Sequence, residues 1–84
     1  MFLIMLTYQA PLDTIDELKD EHYANPKGLF AQGMVQMAGR LEPRTGGLII
    51  AEGDRADVEA AVASDPFVTS GAATVQITEF HRTR

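Results

Sequence analysis

The sequence predicts an α+β fold: one antiparallel sheet and two main helices in the order β-α-β-β-α-β. Three observations carry this expectation. Short apolar runs of strand character recur at Phe2–Tyr8, Met34–Leu41, Gly47–Glu52 and Ala72–Phe80. Two intervening stretches space their apolar residues three and four apart, as one face of a helix requires. A turn-rich connector, Glu42-Pro43-Arg44-Thr45-Gly46-Gly47, joins the middle two strands directly and makes them a hairpin.

The elements follow in order. Phe2–Tyr8 reads as a strand closed by Gln9-Ala10-Pro11. Thr14 and Glu17 have capping-box spacing, and Asp16 and Glu17 suit the positive end of a helix dipole, so the first helix is expected to begin at Thr14. Asn25-Pro26 interrupts it, because proline lacks a donor and clashes one turn back. Asn25 is then expected to cap a second short segment closed by Gly33, giving a two-part helix over Ile15–Gln32. Asp54 caps the later helix, which runs to about Ser64. Asp65-Pro66 repeats the cap-plus-proline signal and opens a single helical turn ended by Gly71. The last strand alternates Val75 and Ile77 inward against Thr74, Gln76 and Thr78 outward. This is the ferredoxin-like split βαβ order.

Strand one is apolar on both faces, with Phe2, Ile4, Leu6 and Tyr8 on one side and Leu3, Met5 and Thr7 on the other. Leu48-Ile49-Ile50-Ala51 is also apolar on both. Helices cover only one face of such a sheet. At about 25 cal/mol per Å² of apolar surface, covering the other with a second subunit is strongly favourable. A homodimer packed sheet against sheet is expected.

Bulk properties narrow the function. The chain has 84 residues, enough for one domain over residues 1–84 with a limited core. Hydrophobic content of 45% and charged content of 23% fit a folded globular protein. A formal net charge of -5 disfavours nucleic acid or an anionic membrane as partner. The absence of cysteine excludes disulfides and thiolate chemistry and suits a cytoplasmic location. The apolar run Phe2–Leu6 is too short for a signal peptide or a membrane span.

Two residues break the pattern. Leu12, Ile15 and Leu18 define an inward helical stripe whose next slot is His22. Val58, Ala61 and Val62 define another, whose next slot is Asp65. His22 reads either as a core histidine satisfied by a backbone carbonyl, Glu21 or Tyr23, or as a general acid/base suited to neutral pH. Asp65 reads either as a cap for the turn opened by Pro66 or as the carboxylate that orients the imidazole. His22 lies about 12 Å along the helix from Thr14, so the fold permits the pair without requiring it. Arg44 and Arg40 flank the connector, either as solvated turn residues or as attractors of an anionic ligand. Tyr8 and Tyr23 are core packing or hydrogen-bond donors to a ligand, and Met34 and Met37 read as core or interface filler. Gly46-Gly47 is no phosphate loop, and no residues have metal-ligand spacing.

These features together resemble the YCII-related (YciI-like) family over nearly the whole chain. The likeness rests on the first strand ending near Tyr8, the acidic helix leading to His22, and Leu29-Phe30-Ala31-Gln32-Gly33. It continues through Gly39, Thr45-Gly46-Gly47 and Asp65-Pro66-Phe67-Val68 with Gly71. The resemblance implies a dimeric α+β barrel in which His22 and Asp65 form the active-site pair. One branch of the family eliminates chloride from a chlorinated hydroxyquinol, which implies proton transfer on a small aromatic substrate with no metal or organic cofactor. The chain departs from the family pattern at Asn25-Pro26, and at Arg40, where proline is common. The expected activity is therefore lyase-type acid/base chemistry on a phenolic or anionic small molecule. The alternatives are a non-catalytic ligand-binding or accessory dimer and a cofactor-free oxygenase.

Overall fold

The computed structural model describes residues Met1–Arg84. The chain forms β1 (Phe2–Tyr8), α1 (Leu12–Ala24), β2 (Val35–Arg40), β3 (Gly46–Ala51), α2 (Arg55–Ala63), the short α3 (Pro66–Thr69) and β4 (Ala73–Glu79). Its four strands make one antiparallel sheet in the order β2-β3-β1-β4, so the ferredoxin-like α+β expectation holds. β1 is central because it is the strand with an apolar residue at nearly every position. Phe2, Ile4 and Leu6 face the helices and pair across with Ala51, Ile49 and Gly47. They join Ile15 of α1, Val58, Ala61 and Val62 of α2, and Phe67 of α3 in the core. Arg55 at the start of α2 bonds to Glu59 and to Glu79 of β4, tying that helix to the sheet edge.

Several local expectations are corrected. α1 begins at Leu12, and the Thr14–Glu17 capping box does not form. Pro11 sits at the N-cap with φ -58° and ψ 153°, and its carbonyl accepts from the Thr14 and Ile15 amides. The proline ring sets that φ before Thr14 is reached. Leu12 consequently lies at the fringe of the inward stripe, 42% exposed. No second helical segment follows Asn25. Its Oδ1 accepts from the Lys27 amide, and its Nδ2 donates to the Ser64 carbonyl and hydroxyl. The side chain thus ties the end of α1 to the end of α2, and residues 26–33 run as turns. Gly33 and Gly71 take left-handed φ values of 72° and 76° where their segments close, as L-residues with a Cβ rarely do. Asp54 occupies the N-cap of α2 but makes no side-chain bond there.

Two features of the sheet bear on the site. A bulge in β2 lies between Val35, opposite Ala51, and Met37, opposite Ile50. The extra residue reverses the alternation, so Met37 leaves the helix side while Ala38 and Arg40 join it, paired with Ile49 and Gly47. At the head of β3, Gly46 packs so closely that a Cβ there would lie 1.9 Å from the Leu6 carbonyl oxygen. Only glycine allows β1 and β3 to pair at that point.

Candidate functional site

His22 stands in the last turn of α1 and Asp65 at the N-cap of α3, and the fold brings them together. His22 Nδ1 and Asp65 Oδ2 are 2.5 Å apart. The other carboxylate oxygen, Oδ1, accepts from the Phe67 amide at 2.8 Å. Capping and pairing are therefore not rivals, since one carboxylate does both with different oxygens. The pair forms because α1 stops at Ala24, leaving His22 at its open end, and because Pro66 turns the chain after α2 back towards α1.

Aromatic side chains enclose the imidazole. Phe67 stacks on it at 4.4 Å with 21° between planes, and the rings of Tyr23 and Phe30 meet it edge-on at 4.9 and 5.4 Å. Tyr8 packs edge-on against Phe67. His22 is the one buried polar residue, 8% exposed. Its Nε2 has no protein partner, while no buried side-chain nitrogen or oxygen in the fold is unpartnered; Nε2 therefore reaches open space. His22 also lines a cavity of about 190 Å³ between α1 and the sheet. Dry cavities of about 150 Å³ hold benzene, so there is room for one substituted ring.

Leu6, Tyr8, Gly47 and Ile49 contribute to its floor, and Arg40 and Arg44 to its connector end. The structure thus brings His22, Tyr8, Arg40 and Arg44 to one cavity, with Asp65 just behind His22. Arg44 bonds to Asp16 of α1. That hydrogen bond and the guanidinium charge hold the Asp16 carboxyl below its ordinary range, and the same bond raises Arg44. The Tyr8 hydroxyl adds a smaller effect in the same direction on Arg44. Lys19 also lines the cavity and was not singled out in the sequence. Its spacing offered a signal, since it follows Ile15 by four and precedes His22 by three. No three side chains of the metal-ligating types converge anywhere in the fold.

Comparison with known proteins adds two findings. Seven solved chains match in structure, among them the 5-chloro-2-hydroxyhydroquinone dehydrochlorinase TftG from Burkholderia phenoliruptrix AC1100, solved with 2,5-dihydroxybenzoquinone. That match has a TM-score of 0.73 and 19% identity, covering 96% of this chain and 94% of the other. It shows a common fold. A search of curated proteins finds no match. A family model for the YCII-related domain matches residues 1–81, the span that holds the sheet, the helices and the whole cavity, and the chain belongs to the YCII-related domain family.

Proposed function

We propose that the chain is a cofactor-independent acid/base enzyme of lyase type, acting on a small polyhydroxylated aromatic ring bound in the cavity. One observation carries the reading: an imidazole on the wall of a ring-sized hollow, held by a carboxylate at Nδ1 and without a protein partner at Nε2. In the neutral ring Asp65 favours the proton on Nδ1, leaving the Nε2 lone pair for a substrate proton. When Nε2 takes that proton, the carboxylate stabilises the imidazolium. Positioned proton transfer of this kind contributes about 10²–10⁴-fold in rate.

Dehydrohalogenation of a halogenated polyphenol fits these parts. One hydroxyl proton moves through Nε2 to the halogen-bearing ring carbon, giving a keto tautomer. A second hydroxyl then loses its proton as the halide leaves with the bonding pair, and a quinone results. Atoms balance as loss of one HX, with no oxidant required. The dehydrochlorinase of the same fold, solved with a dihydroxyquinone, supports this substrate class.

The working unit is proposed to be a homodimer in the cytoplasm. Leu3 and Met5 pair with Ile50 and Leu48 on the sheet face away from the helices, beside Met37, which is 66% exposed. Such a face is what a second copy would cover.

The test is chloride release and quinone absorbance with a chlorinated trihydroxybenzene. Wild type is expected to turn over, and His22→Ala to lose at least about 10²-fold. Turnover undiminished in His22→Ala would remove the imidazole from the chemistry. Binding without turnover of any halogenated polyphenol would leave a ligand-binding dimer in place of an enzyme.

A further inference from the structure

We infer that the ligand carries a carboxylate, and that Arg40, with Lys19 and Arg44 lining the same cavity, is the residue that selects it. The inference rests on the ring-binding cavity proposed above and deepens it. The chain holds 7 basic and 12 acidic residues. Three of the basic ones, Lys19, Arg40 and Arg44, line this cavity, and none of the acidic ones does. In a chain of net charge -5 that is a local reversal of sign, and a cavity lined by one sign of charge concentrates ligands of the other.

The three cations are not equivalent. Arg44 is occupied by Asp16, whereas Lys19 and Arg40 form no ion pair or side-chain hydrogen bond. Arg40 is exposed on the edge strand, and its free planar fork matches a carboxylate with two parallel bonds, which an ammonium cannot provide. Its presence here is a consequence of the β2 bulge. With regular alternation after Val35, Met37 would sit on the helix side and Arg40 on the opposite face of the sheet. Arg40 and His22 both line the cavity, Arg40 from the edge strand and His22 from α1. A ring lying between them would present its acid to Arg40 and a hydroxyl to Nε2. The ligand class is therefore a hydroxylated benzoic acid in preference to a neutral polyphenol.

The experiment compares 2,5-dihydroxybenzoate with hydroquinone, its neutral counterpart, on the intact protein. Binding is read by calorimetry and by the His22 ring resonances in NMR. In wild type the acid is expected to bind at least about ten-fold tighter than hydroquinone, with an advantage that shrinks as salt rises. Arg40→Gln is expected to remove most of that preference, and Lys19→Gln to weaken it less. If both ligands bind equally and both shift the His22 resonances, the carboxylate site is overturned and the ring cavity stands. An Arg40→Gln protein that keeps the full preference also overturns it. If neither ligand binds, both the inference and the function beneath it fall.

Discussion

Asp65 serves two structures with two oxygens, so two substitutions can take them apart. In Asp65→Ala the Phe67 amide loses its cap, which costs about 0.5–2 kcal/mol. The His22 Nδ1–H also loses its acceptor in a site where the ring is 7% exposed, which costs about 1–3 kcal/mol. Together these amount to about 1.5–5 kcal/mol, and at 4–8 °C per kcal/mol for a domain this small the melting temperature falls by roughly 6–40 °C. Asp65→Asn behaves differently. Asparagine caps as well as aspartate, so its Oδ1 keeps the Phe67 amide and the stability loss stays below about 1 kcal/mol. Its Nδ2, however, now faces His22 Nδ1. The ring must accept there and carry its proton on Nε2, the nitrogen that receives one in the proposed reaction. Turnover is expected to fall by about 10²–10⁴-fold with the fold intact. Thermal unfolding, chloride release and the nitrogen resonances of His22 check the three parts. If Asp65→Asn melts as early as Asp65→Ala, or turns over at the wild-type rate, the division of labour between the two oxygens is wrong.

Other outcomes follow from the same geometry. Asp16 is held below its ordinary 3.8 by Arg44, so the pair stabilises the fold above that range and ceases to do so as pH falls through the depressed value. Arg44→Ala should return the Asp16 carboxyl to its ordinary range in NMR titrations, and its acid-unfolding profile should converge with wild type at low pH. Gly46→Ala should destabilise by about 1–3 kcal/mol or more in denaturant titrations, because the new methyl meets the Leu6 carbonyl on a central strand. Met5→Lys with Ile50→Lys should leave a folded monomer in sedimentation, since both lie on the face away from the helices. The double variant His22→Leu, Asp65→Asn should unfold at a higher temperature than His22→Leu alone while still losing turnover, because the single change leaves a carboxylate charge without its partner and asparagine removes that charge.

How much of this was legible in the sequence depends on which signals stay local. Val58, Ala61 and Val62 and the alternation in β1 repeat at a fixed period, so element order and the inward faces could be read directly. The same periodicity exposed His22 and Asp65 as polar residues in apolar slots. Helix ends were harder. Thr14 and Glu17 have capping-box spacing, but Pro11 had already set the backbone three residues earlier. Asn25 carries a cap signature and its Oδ1 does take the Lys27 amide, yet its Nδ2 bonds to Ser64, thirty-nine positions away, which no local pattern can announce. The parity of β2 was hidden for a related reason. Nothing in Val35-Gln36-Met37 marks a bulge, since its cause is the pairing with β3. Arg40 could therefore be noticed, but not assigned a side.

The pair also has to be weighed against what the domain can spare. A chain this short has a small margin of stability, and an ionisable pair set among Phe30, Phe67 and Tyr23 is a weak stabiliser at best. Apolar residues in the same slots would pack without desolvating a charge. The cost is not spread through the core, where every other buried residue is apolar or glycine. It falls at the wall of the cavity, on a ring that keeps one nitrogen without a protein partner. One satisfied and one free is the arrangement proton transfer needs, because the first bond fixes the ring and the second site does the exchange.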